Sequence, residues 1–302
     1  MPKKKVLVVG YGSIGKRHVT NLIKLGIKPH VLTKYADSNE AFFYTKLPSD
    51  LYVDYAIIAT PTDQHLSDVL NVYNTGCRKI LVEKPIEINL SKCKLMMKFA
   101  EQKNLSVFCA YNLRFLKVIQ TLKNLIKEIE NKICIVQITC GQYLPEWRPT
   151  FDYRNSYSAK RDRGGGADLD ISHEIDYMCW LFGYPEHVVF TRRDNLSSLS
   201  LDSPDYFFGM YRYSNFVVNT ELDYIRKKER TIKIIGENNT IVEIDFIRKK
   251  FKIDGIKVDD PVYFNLEDSY CQELMEFLDI NPPKNLATAK DAENVLMLLQ
   301  SE

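Results

Sequence analysis

The chain lacks any Cys-x-x-Cys pair: its seven cysteines (Cys77, Cys93, Cys109, Cys134, Cys140, Cys179 and Cys271) are scattered, most of them inside apolar segments. A thiol in such a setting behaves as a small hydrophobe, so no metal site is read from them and a reducing cytoplasm is the expected location. A surplus of either charge is also missing. The 41 Lys and Arg against 39 Asp and Glu leave a formal net charge of +2, which offers no global field for nucleic acid. Long apolar runs are absent too, so no segment is expected to span a bilayer. The opening "MPKKKVLVVGYG" is basic, yet its apolar run stops at Gly10, too short for the core of a secretory signal. No internal repeat or low-complexity tract appears, which excludes solenoids and arrays. What is present is the composition of a globular protein, 45% hydrophobic and 26% charged over 302 residues. Two domains with separate cores and a small-molecule partner are the expectation.

From Lys5 to about Ala110, short β-branched runs alternate with stretches of helical period, the pattern of a parallel sheet with crossover helices. Strands are expected at Val6 to Val9, His30 to Thr33, Tyr55 to Ala59, Ile80 to Val82 and Ser106 to Cys109. Helices are expected at Ile14 to Leu25, Gln64 to Asn74 and Leu90 to Lys103. The link from Val31 to Ala56 is short for a crossover helix, so one unit reads as abbreviated. After a further helix near Phe115 to Glu130, long alternating runs predominate, and "GENN" and "DG" are hairpin signals. Helical pieces at Leu169 to Phe182, Leu266 to Ile280 and Ala287 to Leu299 would cover one face. The fold class is therefore α/β. An N-terminal doubly wound parallel sheet of the Rossmann type is expected over residues 1–118. A C-terminal α+β domain with a largely antiparallel open sheet, residues 119–302, would bind substrate.

"VVGYGSIGKRH" places Gly10, Gly12 and Gly15 in Gly-x-Gly-x-x-Gly spacing after a strand and at the mouth of a helix. The first glycine makes the tight turn, the second admits backbone close to a pyrophosphate, and the third lets helix and strand pack. Ser13 and Ile14 open the helix, whose first N–H groups and dipole suit an anion. At the end of the second strand, where an acid would grip a ribose hydroxyl, stand Thr33 and Lys34. A hydroxyl and an ammonium suit a ribose 2′-phosphate, so NADP is favoured over NAD, although Asp37 lies close enough in sequence to reach the ribose.

Ligands of open parallel sheets sit beyond the carboxyl ends of the strands. There the sequence supplies Thr60 and Pro61 in "AIIATPTDQH", and Glu83, Lys84 and Pro85 in "ILVEKPI". The proline pushes Lys84 towards extended backbone and holds its ammonium near the crevice. In the second half, three glycines (Gly164 to Gly166) precede a helical segment carrying Asp170, His173, Asp176 and Tyr177, with His173 flanked by acids at i−3 and i+3. Histidine is the natural proton carrier for alcohol oxidation. The loop "LPEWRPTFDYRNSYSAKRDR" mixes Arg148, Arg154, Lys160, Arg161 and Arg163 with Trp147, Tyr153 and Tyr157. Guanidinium forks beside aromatic faces would suit a phosphorylated, sugar-like ligand.

In the order "GYGSIG", "DYAIIATPTDQH", "VEKPI", "YNLRF" and "GGG…D…H..D", the chain resembles the glucose-fructose oxidoreductase and inositol dehydrogenase family, Gfo/Idh/MocA. The resemblance implies a dinucleotide domain followed by an α/β domain whose open sheet supports homo-oligomers, and hydride transfer between nicotinamide and a carbon of a sugar or cyclitol. It brings His65 and Asn112 to the cofactor set with Glu83 and Lys84, and Arg114 to the substrate set with Trp147, Arg148, Arg154, Tyr157, Asp170 and His173. Lys84 matches the lysine of the Glu-Lys-Pro motif, whose following peptide bond is commonly cis, and His173 matches the family's acid or base. Leu169 stands where the family places an aspartate, four before the histidine, and Asp170, three before, is taken as its replacement. The stretch from Tyr143 to Gly183 further resembles members associated with bacterial surface-glycan or flagellin-sugar biosynthesis. A sugar phosphate or nucleotide sugar is the expected substrate. The alternatives are a reductase of a non-sugar ring and a dinucleotide-binding regulator without catalysis.

Overall fold

The structure, a computed structural model, describes residues 4–34, 40–129, 132–258 and 260–301. It divides into two compact units, one reaching Asn112 and taking in Tyr270–Glu293, the other holding Leu113–Ser269 and the residues from Asn294 onward. This differs from a contiguous division after residue 118, because a C-terminal segment returns to the first unit.

The first unit runs β1 (Val6–Val9), α1 (Ser13–Lys24), β2 (His30–Leu32), β3 (Phe42–Tyr44), β4 (Tyr55–Ile58), α2 (His65–Tyr73), β5 (Lys79–Val82), α3 (Leu90–Gln102) and β6 (Ser106–Cys109). Its strands pair in the order β6-β5-β4-β1-β2-β3, all parallel, with Ala287–Thr288 added antiparallel beyond β6. The order reverses between β1 and β4, the place where such sheets open a crevice. All four residues of β1 and of β4 are buried, as strands covered by helices on both faces must be. The abbreviated unit is a third short strand, β3, formed by the aromatic run Phe42–Tyr44. The segment 270–293 closes the far side: the Tyr55 hydroxyl donates to the Leu278 carbonyl at 3.2 Å, Phe277 packs edge-on to Tyr55, and Lys79 donates to the Asp279 carbonyl at 2.8 Å.

In the second unit come α4 (Lys117–Ile129), β7 (Ile133–Gly141), α5 (Ala167–Asp170), α6 (His173–Phe182), β8 (His187–Asp194), β9 (Tyr206–Arg212), β10 (Val217–Asp223), β11 (Glu229–Gly236), β12 (Ile241–Asp245), β13 (Lys250–Ile253) and β14 (Ile256–Lys257); α7 (Leu266–Leu278) and α8 (Ala289–Gln300) follow. The eight strands lie in the order β14-β13-β12-β11-β7-β10-β9-β8, antiparallel except where β7 meets β10. Both hairpin signals are realised, and Asp254 and Gly255 take positive φ (50° and 79°) at the second. Alternation sets the buried face: Val136, Ile138, Val218, Leu222, Ile232 and Ile234 point inward while Gln137 and Glu243 stay exposed. The helix expected from Leu169 to Phe182 is instead broken. Ile171 leaves helical backbone (φ −103°, ψ 32°), and the chain restarts at His173.

No helix among the described residues is long and apolar enough to cross a membrane. Burial pushes the thiols of Cys77, Cys93 and Cys140 up to about 12, whereas Cys134 is exposed. At pH 8 the first three would be thiolate only about once in ten thousand, and only the thiolate reacts. Titration of the native protein with a disulfide reagent is expected to modify Cys134 first and to leave those three untouched until denaturant is added.

Candidate active site

Of the three motif glycines, two are filled around and one is not. Gly10 has φ +93°, and a Cβ there would lie 2.6 Å from the Ala59 carbonyl oxygen; a Cβ on Gly15 would run into the Gly10 carbonyl. Around Gly12 nothing lies within 4 Å. Gly12 is also the N-cap of α1, with no side-chain cap, and Ser13 beside it is exposed while Ile14 is half-buried. The strand–helix turn therefore packs tightly at two glycines and leaves open space at the third, in front of uncapped helix N–H groups. A pyrophosphate fits that cradle in charge and in shape.

The ends of neighbouring strands frame it. Thr60 follows β4, and its hydroxyl donates to Asp68 at 2.7 Å; burial raises the Asp68 carboxyl, against the pull of that hydrogen bond. Pro61 precedes the 3-10 turn Thr62–Gln64. At the end of β2, Thr33 gives its backbone N–H to the Tyr44 carbonyl and Lys34 is exposed, while Asp37 lies outside the described residues. Asn112, only 2% exposed, opens the turn after β6.

His65, placed in the cofactor set by the resemblance, is buried. It is 1% exposed, and its ring nitrogens face the Ile86 carbonyl at 3.2 Å and the Thr60 carbonyl at 3.0 Å, so it braces two strand-end loops. Glu83 is likewise drawn inward: its carboxylate meets His18 Nε2 at 2.6 Å and accepts from the Lys84 backbone N–H at 3.3 Å. The peptide between Lys84 and Pro85 is cis, and Lys84 is half-buried. Glu87, fully buried, accepts from the Leu66 N–H at 2.7 Å and the Ile88 N–H at 3.1 Å. His18 and Glu87 were missed by sequence reasoning. His18 carries a faint signal, standing one helical turn after Gly15 on the same face of α1.

In the second unit, His173 is the first residue of α6 and half-buried. Asp170 is the centre of a hydroxyl cluster: Tyr157 donates at 2.7 Å, Ser158 at 2.6 Å and Tyr224 at 3.1 Å. Burial, reinforced by the Asp170 charge, holds both phenols well above their usual range, so they remain protonated donors. Asp170, only 4% exposed, thus gathers three hydroxyl donors.

Arg114, placed in the substrate set by the resemblance, is paired within the second unit. Its guanidinium forks onto Asp176 through three bonds of 2.6–3.1 Å, with both residues buried. Such a pair is a folding element, because removal of either partner strands a buried charge. In the polar loop, Trp147 donates its indole N–H to the Gln142 carbonyl at 2.9 Å and packs edge-on to Tyr224, and with Arg148 and Tyr157 it lines a narrow pocket. Arg154 is exposed and holds Asp152 through bonds of 2.7–3.0 Å. Because exposed pairs contribute little, Arg154→Ala is expected to leave the melting temperature unchanged.

A model of the oxidoreductase family with an NAD-binding Rossmann fold matches residues 4–111, and a model of the GFO/IDH/MocA C-terminal domain matches residues 119–242. The chain belongs to the GFO/IDH/MocA family. Among family relatives, the glucose-6-phosphate 3-dehydrogenase of Bacillus subtilis is 28% identical over 192 residues, 59% of this chain and 54% of the relative. The NADP(+) scyllo-inositol 2-dehydrogenase of the same organism is 23% identical, over 67% of this chain and 58% of its own. The chain thus spans a little over half the length of these curated relatives. The WlbA dehydrogenase of Bordetella pertussis, solved with NADH and UDP-GlcNAcA, superposes with a TM-score of 0.81 over 98% of this chain and 93% of its own, at 19% identity. That likeness is one of fold.

Proposed function

We propose that the chain is an NAD(P)-dependent oxidoreductase acting on a hydroxyl-bearing or keto carbon of a sugar, carried as a sugar phosphate or nucleotide sugar in glycan biosynthesis. The observation that carries the reading is the open cradle at Gly12, at the uncapped start of α1 and between the strand ends that bear Thr60 and Thr33, with Lys84 at the end of the next strand beyond Thr60. The names of the B. subtilis and B. pertussis relatives support the substrate class.

In this reading Gly10, Gly12, Ser13, Ile14 and Gly15 hold the pyrophosphate, and Thr60, Pro61 and Asn112 bound the cofactor. A bound nicotinamide supplies the hydride acceptor or donor. The Lys84 ammonium hydrogen-bonds the reacting oxygen and favours its alkoxide character, and the His173 imidazole accepts or returns the hydroxyl proton. Thr33 and Lys34 favour the 2′-phosphate of NADP. Assembly of like chains through the open face of the second unit's sheet is part of the proposal, supported by Phe190, which is 50% exposed there. A reducing, cytoplasmic setting suits the buried thiols.

Fluorescence titration with NADPH and with NADH tests this. Tight binding with NADPH preferred is expected, and turnover is then sought with glucose 6-phosphate, scyllo-inositol and UDP-GlcNAcA. A preference for NADH would remove the role of Thr33 and Lys34, and binding of neither would overturn the reading.

A further inference from the structure

Two cations of the polar loop are paired, Arg154 with Asp152 and Arg161 with Asp168 at 2.8 Å, and Arg114 is paired with Asp176. A different basic site stands in the same unit. A cleft of about 690 Å³ opens between the start of β11, the turn joining β12 to β13, and the 3-10 turn Pro261–Phe264 ahead of α7. Lys228, Arg230 and Lys249 line it, with Glu267 as the acid among its lining residues, and Phe246 and Phe264 form part of its apolar wall.

Two details set these cations apart. Lys228 and Lys249 are exposed and, among the described residues, make no ion pair, whereas their neighbours Arg226 and Arg248 are tied to Asp223 and Asp245. Lys249 also sits at φ 53°, the left-handed backbone that brings the β12–β13 turn round. Arg230 links the cleft to the candidate base: its Nε lies 2.8 Å from Glu174 and 3.3 Å from the Cys140 sulfur, and Glu174 follows His173 in α6. Both contacts use Nε, so they do not consume the two terminal amino groups.

We infer that this cleft takes the nucleoside diphosphate of a nucleotide-linked substrate, the phosphates on Lys228, Arg230 and Lys249 and the base against the Phe246 and Phe264 wall. The volume lies within the range of small-ligand sites and suits more than a monosaccharide, and paired cations beside an apolar wall match a diphosphate joined to a flat base. The inference rests on the oxidoreductase reading and names its substrate class.

The test is calorimetric titration of the full chain, saturated with NAD+, with UDP and GDP separately, with glucose 6-phosphate as the contrasting ligand. Parallel titrations of NADH judge the oxidoreductase reading by itself. The double variant Lys228→Ala, Lys249→Asn removes both ammonium groups, and asparagine tolerates the left-handed backbone at 249. At least one nucleoside diphosphate is expected to bind the parent and to lose affinity roughly 10- to 100-fold in the double variant, with NADH binding and Tm unchanged. Retention of nucleoside diphosphate affinity within twofold would overturn the site. So would failure of both UDP and GDP to bind the parent, or lysine-dependent binding of glucose 6-phosphate alone, whatever the NADH result. Lysine-dependent UDP binding by a protein that ignores NADH would uphold the cleft and sink the oxidoreductase reading.

Discussion

Gly12→Ala is expected to fold as the parent does and to lose the dinucleotide, whereas Gly15→Ala is expected to lose stability first. The two residues sit three apart in one motif, yet their surroundings are opposite. A methyl group on Gly12 meets no protein atom within 4 Å, and the backbone there (φ −73°, ψ −165°) is open to any residue. Only a ligand would occupy that space. A methyl group on Gly15 collides with the Gly10 carbonyl, in a turn held to β2 by the Gly10 N–H donating to the Leu32 carbonyl at 3.0 Å. Thermal melts should place Gly12→Ala within about 2 °C of the parent and Gly15→Ala roughly 5–10 °C below it. NADH affinity of Gly12→Ala should fall roughly 10- to 100-fold, because the methyl group keeps the pyrophosphate away from the backbone. If Gly12→Ala binds NADH as the parent does, the cradle is not where the cofactor lies.

Replacement of Lys84 by methionine should leave the cofactor bound and the chemistry stalled. Methionine keeps the length and apolar stem of the side chain and removes the charge. The loop should survive, because Glu83 is held by His18 and Glu87 by backbone N–H groups, independently of the ammonium. For whichever sugar of the panel turns over, kcat is expected to fall roughly 10²- to 10³-fold, the usual loss when one donor to a developing oxyanion is removed. NADH affinity should stay within about fivefold, since the pyrophosphate is met by backbone at α1. Unchanged kcat would take Lys84 out of the mechanism and leave it as a half-buried turn residue.

The first unit was readable because its information is local. Strand runs such as Val6–Val9 and Tyr55–Ile58, the glycine turn and the Glu-Lys-Pro stop are each written within a dozen residues, and the structure finds all of them. What escaped depends on partners distant in the chain. The pairing of Arg114 with Asp176 spans 62 residues. The hydroxyl cluster on Asp170 likewise draws in Tyr224, 54 residues on, beside Tyr157 and Ser158. The continuous helical periodicity from Leu169 concealed the break at Ile171, and the strand Phe42–Tyr44 was too short for alternation to show. The basic cleft drew no attention for the same reason, since Lys228, Lys249 and Phe264 come from three separate turns.

The return of residues 270–293 to the first unit has a consequence for how the protein is made. On the ribosome, β6 emerges long before Ala287–Thr288, the strand that pairs with its outer edge, and before Phe277, which packs on Tyr55 and Phe108. At common elongation rates that edge would wait roughly ten to thirty seconds for its partner. Throughout that interval a nascent chain would present an unpaired strand edge, the kind of surface that chaperones and neighbouring chains seize.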